Sequence, residues 1–338
     1  MTRQNIAIIG AGSFGIALAH LLTKNGHAVR IWTRSGERAE LLKLAHGNPD
    51  KLPGVILPQE VVYTADMEAA LRDASVAVLV VPSIHVRETV LLMKPYLHRD
   101  LLLVNCAKGI EERTLFTLTG VIRDALGKDT PQLAALSGPS HAEEVGRDLP
   151  TAIVAASEDM SVSARVQEIF MSPVFRVYTG SDLLGVELGG SLKNVIALAA
   201  GVADGQGYGD NTKAAMITRG IAEITRLGVA MGAEAGTFYG LTGIGDLIVT
   251  CASMHSRNRR AGILIGQGMS AEEACAEVKM VVEGVHCARA AQLLAEKYGV
   301  SMPIISEVCH VLFDGKSPAD AVADLMLRDK KAEQEGDR

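Results

Sequence analysis

Gly10-Ala11-Gly12-Ser13-Phe14-Gly15 follows the short apolar run at 6–9 and leads into a helical pattern over 14–25. The spacing G-x-G-x-x-G is weak by itself. Here it leaves a strand and opens a helix, and that context makes it a dinucleotide-binding turn. Gly10 permits the tight turn, Gly12 lets the backbone approach a pyrophosphate, and Gly15 lets helix and strand pack closely. The helix N-terminus adds N–H groups and partial positive charge. Gly26 suits the left-handed position after the helix, and 27–33 supplies the second strand of a β-α-β unit. A glycine-rich turn that binds nothing is the other reading of these six residues.

Working outward, further strands are expected at 76–81, 101–105, 133–136, 151–155 and 174–178, with helices between most of them, for example 67–72 and 86–93. Alternating strands and helices predict a mainly parallel sheet covered on both faces. Beyond Tyr178 the pattern turns helical and rich in small residues, with glycine-marked joints at 201–209, 240–245 and 266–268. The expected fold is α/β: a Rossmann-type, mainly parallel sheet over residues 1–180, then an all-helical C-terminal domain over 181–338. The tail, 328–338, reads as solvated.

Length and composition agree. At roughly 150 residues per domain, 338 residues make about two domains, and 48% apolar against 21% charged residues is a globular balance. With 33 basic and 39 acidic residues the formal charge is −6, so no general affinity for nucleic acid or anionic membrane is expected. Cys106, Cys251, Cys275, Cys287 and Cys309 are scattered and form no CxxC pair, which argues for a reducing, cytoplasmic setting and against a zinc cluster. Residues 4–23 carry no charge and follow Arg3, as a signal peptide could, but Gly10, Gly12 and Gly15 have the better explanation given above.

Candidate chemistry gathers beyond the carboxyl ends of the strands, where open parallel sheets bind ligands. After the second strand stands Thr33-Arg34-Ser35, with Arg38 one turn on, where NAD-specific proteins carry an acid. Arg34 can pair with a 2′-phosphate; a solvated surface arginine is the alternative. Lys108 directly follows a buried strand, where a charge is costly unless it faces a ligand. In the helix expected over 183–200, Gly190, Lys193 and Asn194 share one face. The pair Gly189-Gly190 implies a close approach to the backbone there, since glycine costs about 1 kcal/mol in a helix interior. Gly243-Ile244-Gly245-Asp246 and Ser256-Arg257-Asn258 follow; hydroxyl, guanidinium and amide in succession suit a small phosphate ester. His141, His255 and His286-Cys287 show no ligand spacing and read as structural or solvated, and no metal site is expected.

The segments GAGSFG, NCAKG, SGPSHAEEV, GVELGGSLKNVIALAAG, DNTKAA, GLTGIGDLIVTC, SRNRR and VVEGV resemble those of bacterial NAD(P)-dependent glycerol-3-phosphate dehydrogenases, in the same order and over nearly the whole chain. The resemblance implies a cytoplasmic homodimer that interconverts dihydroxyacetone phosphate and sn-glycerol 3-phosphate for phospholipid synthesis. Its helical domain would be of the 6-phosphogluconate dehydrogenase C-terminal-like type. Beside the loop glycines, Ser13, Phe14, Arg34, Lys108, Ala142, Arg257, Val281 and Glu283 would contact NADP(H) or NAD(H). Lys108, Gly138, Ser140, Lys193, Asp246, Ser256, Arg257 and Asn258 would hold the substrate, with Lys193 as the proton-transfer residue. Phe14 stands where tryptophan or tyrosine is common, and Lys279-Met280 where a Gly-Gln pair is frequent.

Apart from that resemblance, the residues also fit a β-hydroxyacid dehydrogenase of the same architecture, or a non-catalytic dinucleotide sensor. Arg34 yields a test of the cofactor end. NADPH should be accepted, with or without NADH; steady-state kinetics with each that gave a hundredfold preference for NADH would refute the reading.

Overall fold

The computed structural model describes residues 2–330, 332 and 333. Among them, β1 (Asn5–Ile9), β2 (Ala28–Trp32), β3 (Val62–Thr64), β4 (Val76–Leu79), β5 (Leu102–Asn105), β6 (Gln132–Ser137), β7 (Thr151–Ala156) and β8 (Phe175–Gly180) form one sheet, ordered β3-β2-β1-β4-β5-β6-β7-β8. The pairs from β3 to β6 are parallel, β6 and β7 are antiparallel, and β7 and β8 run parallel to each other. β1 lies between β2 and β4, with Ile9 level with both Trp32 and Leu79. The strand order reverses there, and a crevice opens beyond the strand ends.

Side chains alternate between two cores, as the two-residue period of a strand requires. Ile6, Ile8, Val76 and Val78 join one, against α1 (Ser13–Lys24) and α7 (Met160–Phe170); Ala7, Ile9, Ala77 and Leu79 join the other. The second core is closed by α3 (Met67–Leu71), α4 (Val86–Met93) and α5 (Leu118–Leu126), while α2 (Gly36–Ala45) and the single turn α6 (Ala142–Val145) add Ala39, Leu42, Ala142 and Val145 to the first. Burial on both faces explains why the inner strands read as unbroken apolar runs.

The helical half is α8 (Leu183–Gly205), α9 (Asp210–Ala230), α10 (Ala235–Phe238), α11 (Asp246–Ala252), α12 (Arg257–Gly266), α13 (Ala271–Val278), α14 (Glu283–Tyr298), α15 (Pro303–Phe313) and α16 (Pro318–Met326). α8 is the axis, packed against α9, α11, α12, α14 and α15. It is long and apolar enough to cross a membrane by composition, yet 94% of its most apolar window is buried inside the protein, so it is a core helix.

Four local expectations need correction. β3 was not anticipated, because three residues are too short for a periodic signal. The strand expected over 174–178 runs over Phe175–Gly180. The helix begun at Leu183 does not stop at 200, and the joint expected at 201–209 starts only at Gln206. Gly201 and Gly205 are contact points instead: a β-carbon there would fall inside contact distance of the Arg259 and Ile263 carbonyl oxygens of α12. Gly262 and Gly266 reciprocate, against the Leu198 and Val202 carbonyls. The glycines at 240–245 are no break either; Leu241–Gly245 makes a π-helical turn that runs into α11. Of the tail, 331 and 334–338 lie outside the described residues, and 328–330 are exposed.

The α8–α12 contact fixes where the start of α12 sits relative to Lys193. Gly262→Val gains only roughly a few tenths of a kcal/mol of helix propensity and overfills that contact, so it should destabilise the fold by about 1–3 kcal/mol. Urea unfolding measures this, and an unchanged midpoint would show that the helices can separate without cost.

Candidate active site

A cleft of about 930 Å³ runs between the sheet and the helices, lined by residues from both halves. At its sheet end, Gly10 has φ +122°, and a β-carbon on it would press on the backbone of Val80. Gly12 lines the cleft and has no protein atom within 4 Å of where a β-carbon would be, so room remains for a ligand against the backbone. No side chain caps the first turn of α1, which leaves its N–H groups for an anion. These features fit a dinucleotide pyrophosphate. Gly15 does not line the cleft; a β-carbon there would collide with the Gly10 carbonyl oxygen, so its role is packing.

Ser13, Phe14, Arg34, Ala142, Val281 and Glu283 all line the same cleft. Ser13 Oγ donates to the Lys51 carbonyl at 2.9 Å. Arg34 stands 3.6 Å from Glu88, with both side chains more than half exposed, a pairing too wet to hold the guanidinium back from a stronger anion. Glu283 is engaged: its carboxylate accepts the Ser83 N–H at 3.0 Å and also the Ser83 hydroxyl, clasping α14 to the sheet half. Asn48 had no sequence signal. Buried, it donates to the Ala11 carbonyl at 2.6 Å and accepts from Arg38 at 2.6 Å, linking the glycine turn to the basic end of the cleft.

At the helical end the decisive group is Asp246, which begins α11 and is 1% exposed. Lys193 Nζ donates to its Oδ1, and Lys108 Nζ to its Oδ2 at 2.6 Å. Lys108 Nζ also donates to the Gly138 carbonyl at 3.1 Å, which accepts from Ser140 Oγ at 3.0 Å. Lys193 Nζ reaches Thr250 Oγ1 at 2.6 Å, and that hydroxyl donates in turn to the Asp246 carbonyl at 2.6 Å. Thr250, four residues after Asp246 on one helix face, was findable from spacing but was not singled out.

Burial lowers Lys193 to about 8; Asp246 opposes that shift and Lys108 adds to it. Burial alone would raise the Asp246 carboxyl, but Lys108 and Lys193 overcome it and hold it below the usual carboxylate range. Two cations on one buried carboxylate keep that carboxylate ionised and leave one lysine easy to deprotonate.

The Gly189-Gly190 signal is explained by the protein itself. A β-carbon on Gly189 would stand 2.7 Å from the Thr242 carbonyl oxygen, and one on Gly190 2.6 Å from Ser137 Oγ. The sheet and the π turn dock on this stretch, one turn before Lys193. Ser256 Oγ caps α12 by accepting the Arg259 N–H at 3.2 Å. Asn258 is committed to protein partners, donating to Asn194 Oδ1 at 2.9 Å and accepting the Gly284 N–H at 2.8 Å. Arg257 lines the cleft and pairs with no carboxylate among the described residues, so its guanidinium is free for an anion. Gly138 and Asp246 lie just behind the lining. His141 and His255, read from sequence as structural or solvated, both face the cleft.

Known proteins match this chain along nearly its whole length. A family model described as the NAD-dependent glycerol-3-phosphate dehydrogenase N-terminus covers residues 5–163, and the matching C-terminus covers 182–323. A glycerol-3-phosphate dehydrogenase (NAD(P)+) of Fusobacterium nucleatum is 55% identical over 328 residues, 97% of this chain and 98% of the relative. One from Agathobacter rectalis is 56% identical over 98% of both. The crystal structure of a Coxiella burnetii glycerol-3-phosphate dehydrogenase superposes with a TM-score of 0.92 at 36% identity, over 96% of this chain and 99% of that one.

The shared carboxylate gives a stability test. Asp246→Asn leaves the buried Lys193 ammonium, and the partly buried Lys108 ammonium beside it, without their counter-charge, and removing one partner from a buried pair costs about 3–5 kcal/mol. Urea unfolding at pH 7 should show a loss of that size; a loss below about 1 kcal/mol would mean that the lysines do not depend on Asp246.

Proposed function

We propose, for a chain that belongs to the NAD-dependent glycerol-3-phosphate dehydrogenase family, that Lys193 is the group that moves the proton in its reaction. The chain is an NAD(P)-dependent oxidoreductase that interconverts dihydroxyacetone phosphate and sn-glycerol 3-phosphate. The rival readings, a β-hydroxyacid dehydrogenase and a dinucleotide sensor, find no comparable support.

One observation carries the assignment of Lys193. Its amine is buried in the wall of the cleft and held by Asp246 and Thr250. An ammonium group has three N–H donors; two are used, and the third is left for the substrate. When bound, the reduced nicotinamide supplies the hydride that the ketone carbon accepts. As negative charge builds on the ketone oxygen, the Lys193 ammonium meets it and delivers the proton. In the reverse direction the neutral amine takes the hydroxyl proton. Asp246 orients the amine, and Lys108 beside it favours release of the proton. Arg257 and the Ser256 hydroxyl are assigned to the phosphate, with Lys108, Gly138 and Ser140 completing the substrate end; Asn258 acts by fixing Asn194 and α14. The pyrophosphate is assigned to the 10–15 turn, and Ser13, Phe14, Arg34, Ala142, Val281 and Glu283 to the rest of the dinucleotide.

On this reading residues 1–180 form the dinucleotide-binding domain, and 181–338 the helical domain that carries Lys193, Asp246, Arg257 and the dimer surface. A cytoplasmic homodimer that supplies glycerol 3-phosphate for phospholipid synthesis is the setting inferred; five free cysteines, four of them buried, suit a reducing compartment.

The test is the pH–rate profile in both directions. Reduction needs the ammonium form, so its kcat should fall as pH rises through about 8, the value to which Lys193 is lowered; oxidation needs the neutral amine and should rise over the same range. Lys193→Ala should lower kcat by about 10²–10⁴-fold and leave NADPH binding nearly intact. Retention of more than a tenth of wild-type kcat would remove Lys193 from this role.

A further inference from the structure

His141 lies between Ser140 and Ala142, in the connection from β6 to β7, and its ring faces the cleft. Its Nε2 is buried and has no hydrogen-bond partner. Buried polar atoms in native proteins are nearly always paired, so an orphan in a ligand cleft marks a position where a ligand atom or a water belongs. Across the cleft stands His255, from the helical half, with ring centroids 5.9 Å apart and planes tilted by 54°. His255 directly precedes Ser256 and Arg257. The His141 ring is therefore close to the start of α12, and it also lies near enough to Lys193 to feel its charge.

The substrate has three polar parts. The ketone oxygen is matched by Lys193 and the phosphate by Arg257, both cationic. The remaining hydroxyl is neutral; of the other groups at the substrate end, Lys108 is already bonded to Asp246 and the Gly138 carbonyl, and Ser140 to that same carbonyl, whereas the His141 Nε2 has no partner. An imidazole in its neutral form has one donor and one acceptor and suits such a partner. Burial, helped by the nearby Lys193 charge, lowers the His141 pKa and keeps the ring neutral around pH 7.

We propose that His141 is a substrate-binding residue whose Nε2 hydrogen-bonds the free hydroxyl of dihydroxyacetone phosphate. The proposal rests on the functional reading above and extends it to a residue with no recognised role. His141 would then read the hydroxymethyl end of the substrate, while Lys193 and Arg257 read the other two parts. A site built to bond a hydroxyl discriminates strongly against an analogue that lacks it, because its own polar atom is left unpaired.

The experiment compares dihydroxyacetone phosphate with hydroxyacetone phosphate, which has the same ketone and phosphate but a methyl group in place of the hydroxymethyl. His141→Phe keeps most of the ring volume and removes both nitrogens; His141→Gln restores a polar end. The Phe variant should lose about tenfold in kcat/KM on dihydroxyacetone phosphate and almost nothing on hydroxyacetone phosphate, with KM for NADPH unchanged. The Gln variant should recover most of the loss. Equal losses on both substrates would mean a merely structural role and overturn the proposal, as would no loss on dihydroxyacetone phosphate. Wild-type protein inert on both would instead bring down the underlying function, and the proposal with it.

Discussion

The structure turns on one carboxylate that is too buried to be charged alone. Asp246 is out of water, and an unpaired charge in that position is far more costly than any surface contact can offset. It is held ionised by Lys108, which comes from the turn after β5, and by Lys193, which comes from the middle of α8. Sheet, long helix and π turn must therefore meet at one point. The same meeting sets the chemistry: burial lowers Lys193 to about 8, with Asp246 opposing that shift and the Lys108 charge adding to it.

Getting three segments that close requires backbones without side chains between them. Gly189 and Gly190 let the π turn and β6 come against α8, and Gly201 and Gly205 let α12 do so further along. Each close approach delivers a functional group. The π turn brings Asp246, and α12 brings Ser256, Arg257 and Asn258. Asn258 then ties Asn194 to the first turn of α14, where Glu283 reaches back to Ser83 in the sheet half. The cleft is bounded by a circuit of buried hydrogen bonds that crosses between the halves, so its two walls are held in register.

The dinucleotide end works by different means. Its glycine turn is local to β1 and α1, although Val281 and Glu283 of the helical half line the same cleft. What it needs is an anchor, and Asn48 supplies one from a loop with no regular structure, bonding the turn on one side and Arg38 on the other. The glycine turn and Arg38 are thereby held at a fixed spacing.

Periodicity and glycine placement in the chain determined a great deal. Seven of the eight strands, the β-α-β opening, the change to helix after residue 180 and the grouping of Lys193 with Asn194 all follow from local pattern, because each is decided within a few residues of itself. The residues themselves pointed Lys108 at a ligand and Arg257 at a phosphate; the resemblance to a known family added the expected roles of Lys193 and Asp246. Only the folded chain decided the rest. A glycine at 201 reads the same whether it ends a helix or admits a neighbour, and the difference lies in α12, some sixty residues away in sequence. Asn48, Ser83 and Thr250 carry ordinary side chains in ordinary surroundings until long-range contacts give them partners. His141 shows it most plainly: histidine next to serine says nothing of an unpaired nitrogen facing a cleft, since being unpaired is a property of every atom packed around it.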